Sequence, residues 1–547
     1  VHVVGLHKIA TSECSVVKPF LDNGRFKMVN CVNVEIPSPG EYTFGPMHSR
    51  CSLIDPTFRT CFGPLFLHDA VIYGDTPHNL SLALTRLTAI REPTKAGYDR
   101  QLRRNQKKFI DKHRHIATLL RHSIAAYCID FKDVIDETLD LIIKPHPKKK
   151  PRLQAWKKLV TTNKLAHDTW MSSGVSGKVK KNEFAKPGKY PRLINDLTIE
   201  ASLLGAFLTS LYKHALEHFP IHYRNSILEF IATPNHDSLS KAFENLIHLK
   251  HRVYMCYFSD DSCVSLVING EPKFFNLDIS SCDTSHTSSL FSFLESIFVG
   301  RARSVITRVI NQCRQPLRLS HKNSNGKARL TLKPTEPVLY SGSTLTTLIN
   351  NVANILIGIS VVESSIKSTS DIIKSAERAG YIITIDNCPT YHHLQFLKHS
   401  PVLDQCGSIT PLLNLGVVMR SIGRCKGIIP GKGPLVSRFR LFNGSLAQSL
   451  SSGASHRFIK IFRNKFPAYT EEMLKHIYNE NFSIQFYTKS PSIISDSEVA
   501  RRYTNNINEF YEMCEMFSDA PLYSVIDCPF SRKVFLKDYG YLANLGR

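Results

Sequence analysis

Residues 253–280 read VYMCYFSDDSCVSLVINGEPKFFNLDIS. Two β-prone runs, Val253 to Phe258 and Ser262 to Ile268, flank Ser259-Asp260-Asp261, and Asn269-Gly270 offers a tight turn into a third run, Lys273 to Ile279. Asn-Gly between such runs is a strong hairpin signal, because both residues tolerate positive φ. The stretch therefore predicts a meander with its carboxylates at one end: Asp260 and Asp261 at the first turn, and Asp278 closing the third strand. Asp283 follows five residues later. Hard divalent cations take oxygen ligands of this kind, few in number and completed by phosphates of a substrate. An Asp-Asp dipeptide alone is most often a turn or a helix cap. Two carboxylate sets at the ends of neighbouring strands say more.

Further along, Ser341-Gly342-Ser343-Thr344-Leu345-Thr346-Thr347-Leu348-Ile349-Asn350 reads as a Gly-containing loop feeding a helix. Thr346 and Asn350 then share one helical face. Gly342 permits a close backbone approach or an unusual φ. An amide and a carboxylate, Asn350 and Asp283, suit a ribose 2′-hydroxyl, which both donates and accepts. An ordinary helix start is the alternative reading of the same residues. The apolar stretch Thr344 to Val362 has the length of a membrane span, but Asn350, Asn351 and Asn354 would be expensive there. A buried amphipathic helix and no integral membrane segment are expected.

The chain has 547 residues, enough for about three or four packed units at ~150 residues per domain. Lys+Arg 69 against Asp+Glu 46 leaves a formal charge of +23, which points to a polyanionic partner. A merely soluble basic protein or an acidic membrane surface remain alternatives on charge alone. Basic residues concentrate in 99–122, which has helical character, and in the Pro-rich block 144–152. The 14 cysteines form no C-x-x-C pair, which argues against a zinc ribbon or a thioredoxin-like motif. The N-terminus shows neither a basic n-region nor a long apolar h-region, and its lack of an initiator Met fits a piece cut from a longer chain.

Taken jointly, these stretches resemble the motifs of viral RNA-dependent RNA polymerases. SG-x-x-x-T-x-x-x-N at 341–350 is similar to their motif B, LDISSCD to motif A, and FSDDS to motif C. Here the C-like hairpin precedes A and B, an order similar to the permuted polymerases of permutotetraviruses and birnaviruses. The length and the Asp-Asp pair look more like the permutotetravirus side. Lys181-Asn182-Glu183 with Lys189-Tyr190-Pro191-Arg192 resembles motif F, within about 178–196. Asp371 to Thr384 and Phe396-Leu397-Lys398 look like motifs D and E, with Lys374 as the candidate motif D acid, and Thr94 to Tyr98 resembles motif G. Tyr381 to Asn387, carrying Asp386, is the alternative motif C in an unpermuted order.

The resemblance implies an α+β right-hand polymerase with an antiparallel palm sheet. Residues 1–250 would form an N-terminal extension and fingers, 251–300 the first part of the palm, 301–340 a fingers insertion, 341–400 the second part of the palm, and 401–547 the thumb. It implies metal binding and catalysis at Asp260, Asp261 and Asp278, with two Mg²⁺ ions, or Mn²⁺ in their place. Nucleotide binding would fall to Asp283, Ser341, Gly342, Thr346, Asn350, Lys181, Glu183, Lys189 and Arg192. Expected partners are RNA template and product, ribonucleoside triphosphates and other viral replication proteins, in a replication complex in the host cytoplasm. Two-metal RNA synthesis is the function expected. A non-catalytic basic RNA-binding or packaging protein is the alternative, and it gives no reason for carboxylates clustered at strand ends. A reverse transcriptase would usually carry an aromatic residue where Asp283 stands. An inactive polymerase fold is disfavoured by the intact carboxylates.

Overall fold

The computed structural model describes short segments between residues 6 and 87, residues 96–130, 154, 175–180 and 191–197, and then 199–540 apart from 324–325, 426–430, 451–453, 468–490 and 523. A six-stranded sheet lies at its centre. Its strands, in spatial and chain order, are β1 (Ile221–Tyr223), β2 (Ser226–Phe230), β3 (Val253–Phe258), β4 (Asp261–Ile268), β5 (Glu271–Ile279) and β6 (Ile383–Cys388). The meander forms as its sequence predicts. Ile268 pairs with Glu271 across Asn269 and Gly270, whose φ values of 54° and 81° are what a tight hairpin turn demands.

The expected antiparallel sheet needs one correction. The β2–β3 ladder is parallel, because the His236–Ile247 helix carries the chain from one end of β2 back to the start of β3. That helix starts where the sequence supplies a capping box: Asn235 accepts from the Ser238 backbone N–H at 2.8 Å, and the Ser238 hydroxyl accepts from the Asn235 N–H at 2.9 Å. Strands β1 and β2 precede residue 251, so the central sheet takes in part of the stretch assigned to the fingers.

Both faces of the sheet are covered, which is why β3 is apolar along nearly its whole length. Val253, Met255 and Tyr257 face one core, together with Val264, Leu266, Phe275 and Leu277. Tyr254, Cys256 and Cys263 face a second, with Phe243, Leu394 and Phe396. The first core is closed by the Leu345–Glu363 helix. Among the described residues this is the one helix long and apolar enough to cross a membrane, and 89% of its apolar window is buried inside the molecule. It lies directly on the sheet at Gly358, where an added Cβ would stand 2.8 Å from Leu228 Cδ2 and 2.9 Å from Met255 Sδ.

A five-stranded sheet flanks the first. It joins Phe26–Val32, Gly326–Pro334, Leu317–Asn323, Val175–Val179 and Leu193–Asp196, so residues from far apart in the chain share one layer. A third core, rich in aromatics (Phe439, Phe458, Phe462, Phe510, Phe517, Phe530), gathers the C-terminal helices with Phe66 and Leu67. Arg502 ties that body to the centre. It pairs with buried Asp538 at 3.1 Å and donates to the carbonyls of His392 (3.2 Å) and His393 (3.0 Å).

Because the helix touches the sheet at Gly358, Gly358→Val should force the two apart and lower stability by about 1–3 kcal/mol in denaturant melts. A melt equal to that of the parent chain would show that this contact is loose.

Candidate active site

The turn between β3 and β4 holds two residues, Ser259 and Asp260, closed by the Phe258–Asp261 pair. Ser259 has φ of 57°, a left-handed conformation that costs a non-glycine residue ~1–2 kcal/mol. The Leu345–Glu363 helix compensates. Asn351 Oδ1 accepts from the Ser259 backbone N–H at 2.6 Å, and Asn354 Nδ2 donates to the Ser259 carbonyl at 2.5 Å. Asn350 Nδ2 lies 3.4 Å from the Ser259 hydroxyl. All three amides are buried. The asparagines that marked this stretch as a poor membrane span are thus the residues that hold the turn.

On the sheet, Asp261 stands directly opposite Asp278 across the β4–β5 ladder. Directly opposed side chains share one face, with Cβ atoms about 4.5–5.5 Å apart. The parity of both residues places them on the face opposite the Leu345–Glu363 helix. The Asp261 carboxylate accepts from the Leu397 backbone N–H at 2.8 Å. Burial pushes its pKa up to about 7; the Leu397 bond opposes that, Asp260 and Asp278 add to it, and Lys398 opposes it. Asp260 keeps an exposed edge, yet desolvation by the surrounding protein raises its pKa, and the charge of Asp283 adds to the rise. Among the described residues no three Asp, Glu, His or Cys side chains already converge into a cage for a metal ion. The donors at this end of the sheet are nonetheless all carboxylate oxygens, the chemistry a hard cation requires, and their mutual repulsion is what such a cation relieves.

Beside these carboxylates lies a second corner. Asp283 sits in the short helix Cys282–Ser285, entered through Ser281 at φ 50°. Its carboxylate receives hydrogen bonds from Asn350 (Nδ2 to Oδ1, 3.4 Å) and from the Ser341 side chain. Burial raises its pKa, and these bonds and the charges of Arg192 and Arg86 oppose the rise. Gly342, at φ 108°, passes so close to the Leu193–Asp196 strand that a Cβ would meet the Asn195 carbonyl at 2.6 Å. Asn195 donates to the Ser341 carbonyl through its backbone N–H at 2.9 Å and its side-chain amide at 3.0 Å. The unusual φ expected of Gly342 is present, and its close approach is to the Leu193–Asp196 strand.

The structure thus brings together Asp260, Asp261, Asp278, Asp283, Ser341, Gly342, Asn350 and Arg192. The Thr346 hydroxyl is buried without a partner among the described residues. Lys181, Glu183 and Lys189 lie outside the described residues, as do Thr94, Lys95 and the block 144–152. Lys374 is exposed beside Asp371, whereas Lys398 is the lysine next to Asp261. Asp386 faces Asn276 rather than Asp278; it accepts from Asn276 Nδ2 at 3.1 Å and lies 3.6 Å from Lys537 Nζ. Arg86, Asn195 and His286 carried no sequence signal, and Tyr381 and Leu397 lay inside the motif-like stretches 371–384 and 396–398 without being singled out. Asn351 and Asn354 carried one, as amides in an apolar run.

No family model and no curated protein matches the chain. Two of the solved structures similar to the chain are of viral proteins. One is the RNA polymerase VP1 from Infectious Pancreatic Necrosis Virus, at 12% identity and a TM-score of 0.35, over 65% of this chain and 50% of that one. Another is the birnavirus VP1–VP3 complex, also at 12% and 0.35, over 54% of this chain and 44% of that one. The chain therefore spans about half the length of the solved structures it matches.

Asp261 has a folded-state pKa above its unfolded value, so it stabilises the fold fully below about pH 4 and that contribution is lost as pH rises through about 7. Thermal melts in chelator should show falling stability across that window, and Asp261→Asn should flatten much of the slope. An unchanged slope would mean that Asp261 ionises normally.

Proposed function

We propose that the chain is an RNA-directed RNA polymerase that replicates a viral RNA genome from ribonucleoside triphosphates. The observation that carries this reading is a single site with two halves. Opposed carboxylates (Asp261, Asp278) and a turn carboxylate (Asp260) form one half, and a carboxylate–amide pair (Asp283, Asn350) suited to a 2′-hydroxyl forms the other. Nucleotide addition needs both, and a packaging protein needs neither.

In this reading Asp260 and Asp278 bind divalent cations, Mg²⁺ or Mn²⁺, with Asp261 assisting from its bond to Leu397. When bound, two such ions supply the charge that activates a 3′-hydroxyl and stabilises departing pyrophosphate. Asp283 and Asn350 hold the ribose of the incoming nucleotide, and Ser341 fixes Asp283. Gly342 lets the loop backbone approach the new base pair without a side chain in the way. Arg192, next to both Asp260 and Asp283, faces the triphosphate, where its fork suits phosphate oxygens. Lys181, Glu183 and Lys189 belong to the same nucleotide path, and the formal +23 of the chain serves the RNA backbone. The hairpin that precedes Asp278 in the chain supplies the Asp-Asp pair, which makes this a permuted palm. Residues 1–250 and 301–340 would then be fingers and 401–547 a thumb. Other viral replication proteins and a replication complex in the host cytoplasm complete the proposal.

Primer extension on an RNA template with Mg²⁺ or Mn²⁺ tests it. Asp260→Ala and Asp278→Ala should each lower nucleotide addition by roughly 10³-fold or more while the melting temperature holds. Extension that survives Asp260→Ala would move the metal site to Asp386. No metal-dependent extension, together with tight salt-sensitive RNA binding, would leave the packaging protein. Asp283→Ala should relax the preference for ribose over deoxyribose; an unaltered preference would remove Asp283 from that role.

A further inference from the structure

Behind Asp283 and Asn350 runs a buried chain of hydrogen bonds that the proposed reaction does not itself use. His286 is 1% exposed, with Nδ1 3.1 Å from the Tyr381 hydroxyl and Nε2 2.8 Å from Asn350 Oδ1. The Cys282 thiol donates to the same amide oxygen at 3.2 Å. Tyr381 is fully buried and meets the imidazole edge-on, with ring centroids 5.9 Å apart.

We infer that His286 is a positioning residue for sugar selection, fixing which way the Asn350 amide faces. The inference rests on the reading of Asp283 and Asn350 as the ribose-binding pair. An asparagine side chain offers a donor and an acceptor on atoms of nearly equal size, so its orientation is set by its neighbours alone. The Tyr381 phenol stays protonated, because burial pushes its pKa well above the usual value. Its proton is assigned to the bond with His286 Nδ1, 3.1 Å away, the tautomer that leaves Nε2 to donate to Asn350 Oδ1. Burial also holds His286 neutral, with its pKa lowered to about 4, so its one ring proton lies on Nε2. That N–H and the Cys282 S–H both point at Asn350, which must answer with its oxygen. Turned around, the amide would set its NH₂ against two donors and its oxygen against the Asp283 carboxylate.

The consequence is local. With its oxygen held at the back, Asn350 presents its two N–H groups toward Asp283 Oδ1 and the Ser259 hydroxyl, both at 3.4 Å. These long bonds leave a donor to share with a 2′-oxygen, while Asp283 accepts the 2′-hydroxyl proton. A deoxyribose offers neither. The ring itself is held by its backbone: the His286 carbonyl accepts from Arg25 at 2.8 Å, and the next residue, Thr287, donates its N–H to Gln106 Oε1 at 3.0 Å.

The test measures kcat and KM for ATP and dATP by the full chain on a primed RNA template with Mg²⁺. It compares the parent with His286→Leu, His286→Gln and Tyr381→Phe, and each variant's melting temperature is recorded. His286→Leu should reduce ribose-over-deoxyribose discrimination by about tenfold, the equivalent of one hydrogen bond, through a higher KM for ATP with dATP unaffected. His286→Gln places an N–H donor where Nε2 stood and should restore most of the discrimination. Tyr381→Phe removes one oxygen, leaves the ring in place, and should lose discrimination severalfold; it carries the test if His286→Leu does not fold. Parental discrimination in a folded His286→Leu or Tyr381→Phe would overturn the inference. So would an equal loss for ATP and dATP that His286→Gln fails to rescue, since that describes a purely structural histidine. A parent chain that adds no nucleotide of either kind would instead remove the polymerase reading, and this inference with it.

Discussion

Three side-chain amides on one apolar helix hold the two-residue turn between β3 and β4, and most of the site follows from that contact. Ser259 adopts a conformation that glycine would take more readily, between a fully apolar strand and a pair of aspartates. Left alone, such a turn would relax, because its backbone is strained and its carboxylates repel. The helix prevents this by answering the Ser259 N–H with Asn351 and its carbonyl with Asn354. A buried amide left unmatched costs ~1–3 kcal/mol, so helix and turn each depend on the other. The third amide, Asn350, extends the same helix to Asp283. One rigid element therefore sets the geometry of the carboxylate end and of the Asp283–Asn350 corner together, and Gly358 fixes the height of that element above the sheet.

Electrostatics works against this arrangement and gives it its use. Asp260, Asp261 and Asp283 all titrate above the ordinary carboxylate range, with burial as the first cause and neighbouring carboxylates adding to it for Asp260 and Asp261. Arg192, Arg86 and Lys398 offset part of the strain from different sides. A site held in this condition is short of positive charge at its centre while the chain as a whole has it in excess. The fold gives up stability to keep carboxylates close. Because the supporting contacts run through the backbone of Ser259 and Leu397, that closeness does not depend on any ligand.

What the sequence disclosed divides along the range of the interactions. Local patterns were legible: the Asn269-Gly270 turn, the three strands of the meander, the helix after Gly342, and the burial of an apolar run that carries asparagines. The parallel β2–β3 ladder was not, because a parallel pair depends on the return path of the His236–Ile247 helix and β2 is short and mixed in character. The same applies to the five-stranded sheet, whose strands come from residues 26 to 334 and carry no signal of one another. Within the site, the carboxylates and the Ser341–Asn350 segment stood out by spacing. Arg86 and His286 did not, since a lone arginine and a core histidine look alike wherever they occur, and Tyr381 fell in a motif-like stretch with nothing to tie it to His286. Part of the basic approach, including Lys181 and Lys189, falls outside the described residues.

The chain order of the meander also bears on how the molecule is made. Within residues 253–280 the two hairpins pair neighbours in the chain, so they can close early in synthesis, whereas β5 waits for β6 to cover its other edge. The asparagines that hold its first turn arrive only with the Leu345–Glu363 helix, after the segments 300–312 and 317–334 have been synthesised. For that interval the aspartates project from a hairpin whose strained turn has nothing to brace it. The nascent chain thus carries its acidic cluster before it carries the amides that hold it, and the geometry of the turn is acquired late, at the docking of one helix.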